Sequence, residues 1–439
     1  MFLTIQNNIS YSIYSNMVEG HANSTDDYLI DGLSFKLAKG ASYVTNRRSV
    51  SFFPSGSNEY GPSTGTKVIK IRLNGTDWLD PSTVKVMFTL KNTDGTTPLK
   101  FLSGPHAFFR RLRIVVGGQV VEDIDDYNRV CEMFNILQSP AVRANDEIEG
   151  TGRWDGPTAE TLAIGGATRT VGMKLCSGLL NQTKMLPLRY CPLEIELELV
   201  NSAEDAVGGS TSWIISDVQC KCDLLTLDNG LENSYSEHVL EGKSLPINYS
   251  TYVSQSQVVT DLNIGVNISR AVTRLKSIFM SMEGPNPTVA TSDNLKSFNN
   301  FWHPNCVGAG VYNAGKEIEL QVQVGSKLYP EYPIRSAAEA FSQLRKTMGI
   351  HQSPFHSIDL TGKQYRNYKF ICAIDTEKVL EAGFTGLNTK AGDMMSIKVK
   401  PIDSGAMGVT AADKPTKFFT VLHSDCVLEI SDTGCRVSD

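Results

Sequence analysis

The chain has 439 residues with 41 Lys plus Arg against 47 Asp plus Glu, a formal charge of −6 at pH 7, which excludes a whole-chain basic surface for phosphate backbones. Its hydrophobic share is 41% with 36 glycines besides, inside the globular norm, so disordered and fibrous classes are out. No stretch reaches the roughly 18 to 20 apolar residues of a membrane-crossing helix, no basic and apolar leader is visible, and nine cysteines, an odd number, fit reduced core thiols better than a disulfide frame. A soluble, intracellular protein is the expectation.

Residues 1–50 read as a polar arm in which Leu29, Leu33 and Leu37 recur every fourth residue behind Thr25 as N-cap, a short amphipathic helix. That stripe packs on its own domain or docks on a partner or membrane face. Beyond the arm the period changes to two. Val84, Val86, Phe88 and Leu90 alternate with Lys85, Met87, Thr89 and Lys91, so one side of a strand enters a core and the other meets water. Leu112, Ile114 and Val116 continue the pattern, as do Leu193, Ile195, Leu197 and Leu199 against three glutamates. Later come Ile318, Leu320, Val322 and Val324, then Met395, Ile397 and Val399. The fold class is mainly β, in sandwiches or barrels. Between these strands, 138–170 and 282–315 are long and rich in Gly, Pro, Asn, Thr and Ala, which marks surface elaborations.

The pattern repeats. Residues 112–137 run strand, Gly turn, short strand, break, then a helix closing on Glu132, Phe134 and Leu137; residues 320–344 repeat that order and close on Glu339, Phe341 and Leu344. Val116 to Val324 is an offset of 208, Leu193 to Met395 is 202, and Val218-Cys220-Cys222-Leu224 to Leu422-Ser424-Cys426-Leu428 is 204. Ordered matches at one spacing indicate duplication of a unit about 200 residues long, the size of a whole β-sandwich with long loops. The junction falls near residues 230–250, giving an arm at 1–50, a first domain at 51–235 and a second at 236–439.

Chemical motifs fail one after another. Gly310, Gly315 and Lys316 have phosphate-loop spacing, but Glu317 stands where a hydroxyl is needed for magnesium, and the loop enters a strand rather than a helix. His303 with Cys306, and Cys220 with Cys222, are metal-like pairs lacking two further ligands nearby. The two strand cysteines read as small hydrophobes of a core face. His351 and His356 read as solvated loop residues, and no G-x-S-x-G elbow, H-x-H or H-E-x-x-H occurs among the seven histidines. No catalytic, cofactor or metal residues are assigned, and the chain is expected not to be an enzyme. Arg110, Arg111 and Arg113, and Arg47 with Arg48, are the densest basic spots, read as solvated faces or ion-pair sites rather than nucleic-acid contacts. Glu122, Asp123, Asp125 and Asp126 read as negative charge at the N-terminus of the following helix, and six N-x-S/T sequons decide nothing.

The segment GPHAFFRRLRIVVGGQVVEDIDDYNRVCEMFNIL resembles double jelly-roll major capsid proteins where strand D of the first roll passes a Gly-Gly turn into its helix. It is most similar to the versions in polinton-like viruses and virophages; YLIDGLSFKL and the closing FFTVLHSDCVLEIS resemble the same proteins. The resemblance implies two tandem eight-stranded jelly rolls, and a homotrimer whose six similar corners fill hexagonal positions of an icosahedral DNA-virus shell. It implies as partners neighbouring trimers, penton and minor capsid proteins, and an internal membrane reached through the arm, with no sequence-specific nucleic acid. The virion is the implied location, with synthesis in the cytoplasm or viral factory. The alternative is a two-domain attachment or carbohydrate-binding protein, for which Trp154 and Trp302 in loops supply aromatic candidates.

Overall fold

A computed structural model of the chain describes residues 43–139, 141–143, 148, 150, 161–284, 295–306, 316–350, 358, 360–378, 385–390, 394–402 and 414–438. The amphipathic stretch at Leu29–Leu37 lies outside them.

Eight principal strands build the first half: β1 (Val44–Phe52), β2 (Val68–Leu73), β3 (Trp78–Asn92), β4 (Phe109–Val116), β5 (Gln119–Ile124), β6 (Thr168–Lys174), β7 (Leu193–Leu199) and β8 (Trp213–Leu227). One sheet has β8 between β1 and β3, with β6 on the far edge of β3; the other runs β2-β7-β4-β5. The chain therefore crosses between sheets at nearly every step, and only the β4–β5 hairpin stays in one sheet. That alternation is the jelly roll. It works because each strand carries an apolar side: β7, Leu-Glu-Ile-Glu-Leu-Glu-Leu, buries every leucine and isoleucine and leaves each glutamate at the surface side.

The second half repeats the plan with β9 (Leu245–Val258), β10 (Ile264–Ile268), β11 (Leu275–Glu283), β12 (Ile318–Val324), β13 (Lys327–Ile334), β14 (Cys372–Asp375), β15 (Met395–Pro401) and β16 (Lys417–Ser431). Its sheets run β9-β16-β11-β14 and β10-β15-β12-β13, and β17 (Gly434–Ser438) pairs with the end of β16. The register is conserved between halves. Leu193 faces Val116 and Ile195 faces Ile114 in the first, while Met395 faces Val324 and Ile397 faces Val322 in the second. Since a slip of one residue would turn an apolar side outward, equal register means the same core was kept twice.

The helices sit at matching places. α1 (Tyr127–Ile136) follows β5, α2 (Gly178–Asn181) follows β6, and α3 (Asn229–Leu240) with Asp228 as N-cap joins the two halves. α4 (Ala337–Thr347), capped by the Ser336 hydroxyl accepting from Glu339 N, follows β13 as α1 follows β5. The junction near 230–250 is thus a helix and the start of a strand, and β1 crosses position 50, so residues from Val44 onward are paired with β8. Residues Val44–Asp439 cluster as one unit holding both rolls.

Candidate functional site: the seam and the charged sheet face

Among the described residues, what stands out is how one roll is fastened to the other. Arg129, on α1, is 4% exposed and reaches across to the second roll, donating to the Ser297 carbonyl, to Ser281 Oγ at 3.1 Å and to the Met282 carbonyl at 3.2 Å. Its guanidinium carbon also lies 4.5 Å from the ring centroid of Phe301 and 3.9 Å from that of Phe419. Burial pulls the arginine down to about 10, with Glu283 and Asp126 acting the other way, so it remains a cation at neutral pH. Around it, Phe134 meets Tyr252 and Phe279 at 4.9 and 5.3 Å, and Tyr249 Oη donates to the Val121 carbonyl at 3.1 Å. The backbones come so close that a Cβ on Gly178 would overlap the carbonyl oxygen of Ser250, which is why no side chain stands there. At the β4–β5 turn, Gly117 and Gly118 take φ of 56° and 84°, and Gly117 abuts Cys435 of β17.

The acidic run divides its labour differently from the expectation. Only Asp126 stands at the N-cap of α1, with a left-handed backbone and no side-chain cap bond. Glu122, 2% exposed, accepts from Ser177 Oγ, Gly178 N at 2.9 Å and Leu179 N at 3.4 Å, and so caps α2. Asp123 and Asp125 turn to the arginines instead.

Those arginines belong to a ladder across the outer face of the β2-β7-β4-β5 sheet. Arg111 grips Asp123 through Nε and Nη2, both at 2.7 Å, and reaches Asp125 at 3.2 Å. Arg113 bonds Glu196 at 3.3 Å, Lys70 pairs with the same glutamate, Arg72 holds Glu194 at 2.7 Å, and Arg110 approaches Glu198 at 3.9 Å. The side chain of Asp123 holds Arg111 above its ordinary pKa; burial opposes ionisation of Glu196, and Lys70 and Arg113 nonetheless hold its carboxyl below the usual range. Arg47 spans Asp223 and Asp80, each at 2.9 Å, and Arg48 meets Asp77 at 2.5 Å. Both basic clusters are therefore neutralised by carboxylates of their own chain. The second roll has a sparser version, with Glu319 between Lys400 at 2.9 Å and Arg335 at 3.2 Å.

The rejected motifs take structural places. Gly310 and Gly315 lie outside the described residues, while Glu317 is buried and accepts from Ala337 N at 3.1 Å, capping α4. His303 is wholly buried, and burial pulls it down to about 3. Asn305 N donates to its Nδ1 at 3.1 Å, so the neutral ring carries its proton on Nε2, a donor 3.8 Å from Glu317 rather than a lone pair for a metal. The Cys306 side chain, His351 and His356 lie outside the described residues. Cys220 and Cys222 are buried core thiols, both pushed up by burial, Cys222 to about 12. Trp302, an aromatic candidate for sugar binding, is 2% exposed and packed against Gly284; Trp154 lies outside the described residues. Sequence reasoning gave no hint of Arg129 as a seam residue: one arginine in EDIDDYNRVCEMF has no local signal of what faces it.

No family model matches the sequence, and no curated protein matches it either. The fold has counterparts among solved structures, which are double jelly-roll major capsid proteins. VP54 of PBCV-1, fitted into a reconstruction of the virophage Sputnik, superposes with a TM-score of 0.62 at 12% identity over 92% of this chain and 99% of that one. The Sputnik virophage structure gives 0.59 at 9% identity, covering 94% and 93%, and the Faustovirus major capsid protein 0.54 at 9%, covering 97% and 98%. This chain has the double jelly-roll fold of those proteins.

Proposed function

We propose that the chain is a non-enzymatic major capsid protein that self-assembles as a pseudo-hexagonal homotrimer, the tile of an icosahedral DNA-virus shell. The observation that carries this reading is the pairing of two rolls of identical strand order and register in a single clustered unit. Two similar rolls in each of three chains give six similar corners, so a threefold oligomer can occupy sixfold positions. Burial at the seam supports it, because a tile needs its two rolls fixed before neighbours add.

In this reading the chain before β1 is an arm at the shell's inner face, β1 to residue 235 the first roll and 236–439 the second, with the loop between α1 and β6 and the loop after β11, apart from its buried Phe301, Trp302 and His303, at the outer surface or in trimer contacts. Penton and minor capsid proteins are the further partners, an internal membrane is met through the arm, and synthesis takes place in the host cytoplasm or viral factory. Electron microscopy of the expressed protein tests the reading: hexagonal capsomers with threefold symmetry support it, and twofold or asymmetric particles alone contradict it.

A further inference from the structure

The chain holds two Asn-Gly steps, Asn74-Gly75 and Asn229-Gly230, and both asparagines are exposed, so exposure does not separate them. Their backbones do. Asn229 opens α3, where the main chain is held in a helix and Gly230 N donates to the Asp228 carboxylate at 3.0 Å. Asn74 lies in the turn from β2 to β3, outside any strand pairing, and among the described residues neither its side chain nor Gly75 N makes a hydrogen bond. The turn is also open: a Cβ on Gly75 would meet only Asp77 N, at 4.0 Å. Glycine carries no Cβ to keep a preceding side chain off its nitrogen, so at this step an amide carbon and a backbone nitrogen can approach freely.

We propose that Asn74 is a self-modification site, converting to aspartate and isoaspartate in the folded chain while Asn229 is protected. Gly75 N, giving its proton to solvent base, attacks Asn74 Cγ; the new C–N bond closes a succinimide ring and the side-chain nitrogen leaves as ammonia. Water then opens the ring at either carbonyl. One water is consumed and one ammonia released, with no change of oxidation state. The product carries one carboxylate more than the chain's formal charge of −6 includes, three residues before Asp77, which Arg48 and Thr226 Oγ1 hold. In its isoaspartate form it also lengthens the main chain of the turn by a methylene. The site needs no partner and no assembly, so it stands or falls apart from the capsid reading.

Peptide mapping by mass spectrometry of the full chain, incubated at mildly alkaline and at mildly acidic pH, tests it. The peptide carrying Asn74 should gain one mass unit, faster in alkali, and its isoaspartate form should be a substrate for protein isoaspartyl methyltransferase. The Asn229 peptide should convert at least about tenfold more slowly while the fold holds, because its helical turn must first open, and should catch up in urea. Gly75→Ala, which the open turn accommodates, should slow conversion of Asn74 about tenfold without lowering the thermal midpoint. An Asn74 that stays unconverted in alkali, equal rates at the two asparagines in the folded chain, no gain at Asn229 in urea, or indifference of Asn74 to Gly75→Ala would each overturn the proposal.

Discussion

Arg129 and Phe419 lie 290 positions apart in the chain, yet the guanidinium carbon of one stands 3.9 Å from the ring centroid of the other. A cation from the first roll is thus held by two aromatic rings, a hydroxyl and backbone carbonyls of the second. Such an arrangement tolerates substitution poorly, since removing the cation leaves the Ser297 carbonyl and the Ser281 hydroxyl without its donors, although Trp302 N still donates to the Met282 carbonyl. Arg129→Leu should cost about 1 to 3 kcal/mol, read as a lower midpoint in urea unfolding. Phe419→Leu, which keeps apolar volume and removes the ring, should cost about 1 to 2 kcal/mol. An Arg129→Leu protein as stable as the parent would show that the seam does not depend on this residue.

Gly178 makes a sharper demand. Since a Cβ there would overlap the Ser250 carbonyl, Gly178→Ala must push β9 away from α2. A loss of about 3 kcal/mol or more is expected, in the upper range for overpacking. Gly265→Ala is the control, because a Cβ at that position meets nothing within 4 Å. Equal thermal midpoints for the two variants would contradict the close approach.

Acid should loosen the fold through two histidines. Burial pulls His303 down to about 3 and His423 down to about 4, the latter stacked on Tyr252 at 4.8 Å and within 3.2 Å of Ser277 Oγ. Both values lie below the ordinary histidine range, so the unfolded chain takes up protons first as pH drops. The stability these rings supply is complete above about pH 6.5 and declines as pH falls from there toward 4. Glu122, raised by burial, has the opposite sign: its contribution is complete below the usual carboxylate range and is lost as pH rises through its folded value. Urea midpoints measured between pH 7 and 4.5 should fall, and His423→Phe should flatten that decline. An unchanged slope in His423→Phe would remove His423 from the account.

The ladder on the β2-β7-β4-β5 face predicts small effects. Its pairs are solvent-facing, so each contributes about 0.2 to 1 kcal/mol. Arg111→Gln should cost no more than about 1 kcal/mol, with the difference shrinking in molar salt. Because carboxylates of the same sheet match the arginines, the parent protein should not shift DNA in a gel at low salt. Retention of DNA that Arg111→Gln abolishes would contradict the neutralised face.

Much of the fold was legible because alternation encodes a half-buried strand directly: the leucines and isoleucines of β7 and the valines of β12 could be assigned inward from spacing alone. The duplication was legible too, since equal cores leave equal patterns at near-equal offsets, and β8 and β16 prove to be strands of 15 residues displaced by 204. What stayed hidden depends on partners remote in sequence. Nothing around Glu122 says that its carboxylate caps α2 some 56 residues later, and nothing in the loop around Trp302 says that the ring packs inside rather than meeting solvent. Arg129 was invisible for the same reason. Local pattern gives the face a side chain points from, while a seam is defined by what another segment places opposite.

The central claim is a preassembled threefold tile, and the solution mass of the purified chain tests it most directly. Light scattering behind a sizing column should show a species of about 144 kDa, three times the 48.1 kDa chain, that persists on dilution. A monomer of 48.1 kDa at every concentration, with or without co-expressed virion proteins, would contradict it.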